Sequence, residues 1–222
     1  MNPSLCLLPS PLTGPSVWQE AAARLPGRVI TMPAPGSLLQ TTGEVLAWFA
    51  DAIPPDEDVI LVPHSNAGLY VPALTTRRRV AGYVFIDAIL PPASGAIPVS
   101  PEQFYDFIAQ KADENGLLPP WTQWWDEDIS GLFPSPEVRT RVERDLPRLP
   151  LSYFRESLPV AAGWDSLPGA FLAFGDTYAD ERSEARNRGW PVRTMSGEHL
   201  HMLIDPAGVA AAIAALTSTF HA

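Results

Sequence analysis

VILVPHSNAGLYVPAL occupies residues 59–74. An apolar run ends on Pro63, His64 and Ser65, and an apolar stretch with helical spacing follows at once. The run is short and rich in β-branched residues, as a strand covered on both faces should be. The chain therefore turns from strand to helix at Ser65, and a hydroxyl at such a turn has two uses. It can cap the helix by accepting a backbone N–H. It can also be a nucleophile, with the N–H of Asn66 and the positive end of a helix beside it.

Working outward, further strands are expected at residues 4–8, 29–32, 80–87, 170–174 and 192–195, and helices at 17–25, 38–52, 66–76, 181–188 and 209–220. Strand and helix alternate at both ends of the chain. That implies an α/β fold, a mostly parallel sheet with helices on both faces. Residues 91–160 differ. QFYDFIAQKA, WTQWWDED and PEVRTRVERDL, joined by prolines, read as short helices with no strand between them. The expected organisation is a core formed by residues 1–90 and 161–222, with 91–160 as a helical insert. Ligands in such sheets bind beyond the carboxyl ends of the strands. Ser65, Asp87 and Asp176 would then lie along one edge.

Composition narrows the function. The chain has 222 residues, 46% of them apolar, enough for one domain with a sizeable core. A net charge of -10 argues against nucleic acid or an anionic membrane as partner. The one basic run, Arg77 to Arg79, reads as the charged end of a helix. The single cysteine, Cys6, rules out an internal disulfide and reads as a small core residue. The start, MNPSLCLLPSPL, lacks a basic leader and is broken by proline, so a cytoplasmic, reducing setting is expected. The acidic run Asp126, Glu127, Asp128 reads as a solvated face rather than a metal cage.

Acyl transfer needs a nucleophile, a base, a carboxylate to orient the base, and N–H donors for the oxyanion. GEHLHMLIDPAGVAAAI, residues 197–213, offers His199 and His201 between the last strand and the last helix. Taken with the strand–Ser65–helix turn and the insert after the fourth strand, the chain resembles the α/β-hydrolase family over nearly its whole length. The resemblance implies a nucleophile elbow at Pro63-His64-Ser65-Asn66-Ala67, a helical cap, and a late histidine shortly before Asp205-Pro206. It makes His199 the base and leaves His201 to packing or the pocket wall. It also implies a compact version of the fold, lacking two strands.

Departures from the pattern are informative. Pro63 and Ala67 stand where the family has glycines, and Pro63 removes an N–H from a central strand. The usual His-Gly after the first strand is replaced by Pro9-Ser10 and then Pro11. If Pro11 occupies the second oxyanion position that donor is lost; one register on, Leu12 donates. Asp87, Asp176 and, less directly, Asp180 all compete for the role of acid, Asp180 having a second reading as a helix N-cap. His64 should leave the strand on the side away from Ser65.

Trp121, Trp124 and Trp125 are spaced to share one helical face, and Phe104, Phe107 and Ile108 repeat that spacing with Tyr105 at the margin. They pack the insert on the sheet, wall a substrate site, or both. The expected function is a cofactor-free Ser-His-Asp enzyme acting on a hydrophobic small-molecule ester or thioester. Two alternatives stay open. One is a non-hydrolytic cyclase or lyase of secondary metabolism, using His199 as acid and base. The other is a small-molecule-binding protein with a dead site.

Overall fold

The computed structural model describes residues 3–221; Met1 and Asn2, at the head of the stretch read for a leader, lie outside it, as does Ala222. Six strands form the main sheet: β1 (Ser4–Leu8), β2 (Val29–Thr31), β3 (Val59–Ser65), β4 (Val80–Ala88), β7 (Gly169–Phe174) and β8 (Val192–Met195). Their order is β2-β1-β3-β4-β7-β8, and every pair is parallel. Strands β1, β3 and β7 are buried throughout. Their near-continuous apolar runs are what two covered faces demand.

Topology fixes where a ligand can sit. The step from β1 to β2 runs one way across the sheet, and the steps from β2 to β3 and from β3 to β4 run the other way. Right-handed crossovers then place α1 (Gln19–Ala22) on one face and α2 (Thr42–Ala52) and α3 (Val71–Thr75) on the opposite face. In agreement, α1 packs with the last helix, α8 (Pro206–Thr217), while α2 packs with α3. The switch in direction falls between β1 and β3, and a crevice opens beyond their carboxyl ends. Ser65 ends β3 at that point.

Several expectations are adjusted. Residues 17–25 form a 3-10 turn, Pro15–Trp18, followed by the single turn of α1. Helix α2 starts at Thr42 rather than residue 38 because Thr41 and Glu44 close a capping box. The helix after Ser65 begins as a 3-10 turn, Asn66–Tyr70, before α3. Pro72 has no N–H to donate back to Gly68, so regular α bonding cannot run through the turn. Pro63 is tolerated in β3 because its pairing with Leu8 is the last of the β1 ladder. Arg78 donates to the carbonyls of Ala50 and Ile53, satisfying the end of α2.

The stretch between β4 and β7 holds α4 (Glu102–Ala109) and α5 (Pro136–Arg144), with short 3-10 turns. It also holds two strands that the all-helical expectation omits. β5 (Gly95–Pro98) and β6 (Ser157–Val160) pair antiparallel at the two ends of the stretch. Each carries a proline, which argues against a strand in sequence, yet a two-stranded ribbon has only edges and tolerates it. Helix α6 (Ala179–Asn187) joins β7 to β8, and α7 (His201–Ile204) precedes α8. No helix among the described residues is long and apolar enough to cross a membrane.

Candidate active site

Ser65 is the only non-glycine residue besides Asp87 with positive φ among the described residues, at 56° against 42°. Such backbone is costly for an L-residue and persists only where its surroundings enforce it. At Ser65 it turns the chain out of β3, and the ladder with β4 shifts register there. Close packing holds the turn: a Cβ on Gly68 would come within 2.0 Å of the Ile89 carbonyl oxygen. The approach that demands glycine thus falls at position 68, one residue beyond Ala67, which is itself buried. Ser65 makes no side-chain cap to the helix.

His199 comes from the loop after β8. Its Nε2 lies 3.0 Å from Ser65 Oγ and its Nδ1 lies 2.7 Å from Asp87 Oδ2. A carboxylate only accepts, so the proton sits on Nδ1, and Nε2 accepts the O–H of Ser65. Asp87 is fully buried at the end of β4. Its other oxygen, Oδ1, accepts the N–H of Phe174 at 3.0 Å. The positive φ of Asp87 thus swings a carboxylate across the end of β7.

The other two aspartates are placed elsewhere. Asp176 points to solvent, its side chain 86% exposed, and pairs with Arg182 at 2.9 Å. It lies in the turn after Gly175, beyond the end of β7, while the partner of His199 Nδ1 is Asp87. Asp180 is exposed in the first turn of α6, where Tyr178, not Asp180, is the N-cap residue. His201 packs edge-on to Phe174 and does not reach the cavity.

His64 is fully buried and lies against the ring of His199, centroids 4.6 Å apart. Its Nε2–H donates to the backbone carbonyl of His199 at 3.0 Å. Burial, with the His199 ring beside it, holds the His64 imidazole well below its ordinary value. It is therefore a neutral brace under the loop that carries His199.

Above Ser65 lies a cavity of about 510 Å³. Ser65, Asn66, Tyr178 and His199 are among its polar lining residues. Ile89, Ile97, Val99, Phe104, Trp121 and Trp125 supply apolar wall, most of it from the insert. Four residues expected in that wall are not there, among them Ile108, which is fully buried in the core. Trp124 is buried, stacks edge-on to Phe154 and donates to the Pro119 carbonyl. Tyr105 accepts from Arg155 Nε at 2.7 Å. Phe107 stacks on the outer side of Trp125. Trp121–Gln123 is a single 3-10 turn rather than part of an α-helix, and the three tryptophans do not share one face: Trp121 and Trp125 meet at the cavity while Trp124 turns into the insert.

Leu12 reaches the cavity and Pro11 does not line it. The Leu12 N–H is donated to Ser10 Oγ at 3.2 Å. Asn66 is held from both ends of the insert. Its Oδ1 accepts from Tyr153 O–H at 2.9 Å and its Nδ2 donates to Val99 O at 3.4 Å. Tyr153 in turn bonds Tyr70 at 2.7 Å. Glu181 also lines the cavity, and burial raises its carboxyl. A second cavity of about 620 Å³ shares Trp121, Trp125 and His199 and is rimmed by Glu127, Asp128 and Glu198.

Sequence reasoning missed Tyr178, whose hydroxyl lies 3.2 Å from Ser65 Oγ. A lone tyrosine in a loop carries no spacing signal. The Asn66–Tyr153 bond was equally hidden, since it joins distant positions.

No model of a known protein family matches the chain, and no curated protein matches it. Solved structures do. An extracellular α/β-hydrolase from a Paenibacillus species aligns at TM-score 0.74 and 17% identity, over 97% of this chain and 99% of that one. A histidine-to-alanine variant of tomato methylketone synthase I, complexed with β-ketoheptanoate, aligns at 0.77 and 14%, over 99% and 98%. A pyrethroid hydrolase aligns at 0.73 and 20%, over 98% of each chain. This chain has the α/β-hydrolase fold.

Proposed function

We propose that the protein is a serine-type esterase acting on uncharged, hydrophobic small-molecule esters. One observation carries the reading: the unbroken hydrogen-bonded line from Ser65 Oγ through His199 to buried Asp87. In this account Ser65 gives its proton to His199 Nε2 as Oγ attacks the ester carbonyl carbon. The carbonyl electron pair moves to oxygen, where the Asn66 N–H receives it. His199 returns the proton to the departing alcohol. Water repeats the sequence on the acyl-enzyme, and Asp87 holds the imidazole in the required tautomer throughout. The stretch 91–160 serves as a cap whose aromatic residues exclude water.

Substrate class follows from the lining. The cavity wall is mostly apolar, and its neighbour is rimmed by three carboxylates with no Lys or Arg in either lining. An anionic substrate would meet like charge on entry. We also propose a cytoplasmic setting, which cell fractionation checks.

Turnover of short and medium acyl p-nitrophenyl esters tests the reading. Ser65→Ala should abolish it while leaving the fold intact. Unchanged turnover in that variant would exclude Ser65 as the nucleophile.

One observation favours a second reading. The Leu12 N–H is already committed to Ser10 Oγ, which leaves the oxyanion site short of a backbone donor. A lyase or cyclase in which His199 moves protons and Ser65 only polarises the substrate needs that donor less. Turnover without any trapped acyl-enzyme would favour this route.

A further inference from the structure

Tyr178 sits on the loop between β7 and α6, with its hydroxyl 3.2 Å from Ser65 Oγ. Its ring tilts against that of His199, centroids 5.7 Å apart. The direction of the hydrogen bond follows from its neighbours. Asp87 keeps the proton on His199 Nδ1, so Nε2 takes the one hydrogen that Ser65 can donate. Oγ has only lone pairs left for Tyr178, and the phenol must be the donor. Burial raises the phenol above its ordinary value, so it keeps its proton.

We propose that Tyr178 is a further catalytic residue, whose phenol supports Ser65 Oγ as a leaving group and so governs release of the acyl group. The proposal rests on Ser65 forming an acyl-enzyme. A hydrogen bond speeds a step only if it is stronger in the transition state than in the state before it. In the free enzyme Oγ is a hydroxyl that already accepts from Tyr178. Attack converts it to an ester oxygen, whose lone pair is drawn into the carbonyl and accepts less well. Acylation starts from a hydroxyl that already holds this bond and ends on an ester oxygen that holds it weakly, so the bond gains little on the way to that transition state.

Deacylation runs the other way. His199 Nε2 takes a proton from water as the water oxygen bonds to the acyl carbon. The tetrahedral intermediate then collapses. The C–Oγ bond breaks, its electron pair goes to Oγ, and His199 returns the proton there. Negative charge grows on Oγ during that break, and the bond from Tyr178 strengthens with it. The phenol transfers no proton itself. Its signature is therefore a split between two half-reactions that share the same serine and histidine.

Tyr178→Phe keeps the ring against His199 and removes only the hydroxyl. Stopped-flow with a p-nitrophenyl ester separates acylation, read from the burst, from deacylation, read from the steady state. Titration with a fluorophosphonate counts competent sites, so misfolded chains do not enter the rates. Deacylation should slow by about tenfold, the scale of one lost hydrogen bond, while acylation stays within about twofold. Acyl adduct on Ser65 should accumulate in intact-mass spectra. With wild type labelled at Ser65, equal losses in both half-reactions, or none in either, would overturn the role of Tyr178 and leave the nucleophile standing. A wild type that gives no adduct on Ser65 would overturn both.

Discussion

Replacing Asp87 with Asn tests the chemistry of the site through one atom. The substitution is nearly isosteric, yet the structure dictates how the amide must sit. Asp87 Oδ1 accepts the Phe174 N–H at 3.0 Å, and that N–H is buried at the end of β7. Leaving it unpaired would cost about 1–3 kcal/mol, so the Asn oxygen stays there. The amide NH₂ is then forced to the position of Oδ2, 2.7 Å from His199 Nδ1. An NH₂ cannot accept, so Nδ1 must become the acceptor and the proton moves to Nε2. Nε2 can no longer take the proton of Ser65. The wrong tautomer in this arrangement lowers kcat by about 10⁴, or about 5.5 kcal/mol in the barrier. Initial rates on a p-nitrophenyl ester near neutral pH measure it. Asp176→Asn serves as the control, since that side chain is solvent-exposed and should leave the rate unchanged. A loss under tenfold in the Asp87 variant, or a larger loss in the Asp176 variant, would refute the reasoning.

Three other substitutions or probes bear on the surrounding structure. His64 is held well below 6.5 by burial and by His199, so below about pH 6.5 the unfolded chain takes a proton that the folded one refuses. Its contribution to stability is whole above that pH and falls by up to ~1.4 kcal/mol per unit as pH drops. Urea melts between about pH 7.5 and 5.5 should show a shallower fall in His64→Gln; an identical slope would contradict the buried, neutral assignment. Tyr153→Phe orphans Asn66 Oδ1 and should cost about 1–3 kcal/mol in urea melts. Adding Asn66→Leu should recover part of that loss, and strict additivity of the two would argue against the bond. Cys6 is fully buried with its thiol pushed up to about 12, so DTNB should find no thiol in the native protein and one in denaturant.

Regular features were legible because they repeat along the chain. The apolar runs that became β1, β3, β4 and β7 carry their burial on both faces in their composition. Ser65 and His199 could be singled out because each sits where a strand gives way to a helix. Choices that depend on a single backbone turn were not legible. Asp87 and Asp176 both follow apolar runs, and only the backbone separates them: Asp87, at positive φ, places its carboxylate against His199, while Asp176 lies in the turn beyond β7 and pairs with Arg182. Trp124 and Trp125 are neighbours in sequence, yet one is buried against Phe154 and the other faces the cavity. The β5–β6 ribbon joins segments at opposite ends of the insert, so no local window contains both partners. Tyr178 matters only through its distance to a serine on another strand.

A fluorophosphonate reads the reactivity of Ser65 without any assumption about substrate. Intact-mass and peptide analysis after labelling should find one adduct per chain, on the peptide bearing Ser65, formed far more slowly once His199 is replaced by Ala. No adduct, or an adduct on any other residue, would contradict the account of Ser65 as a hydroxyl activated by His199 and Asp87.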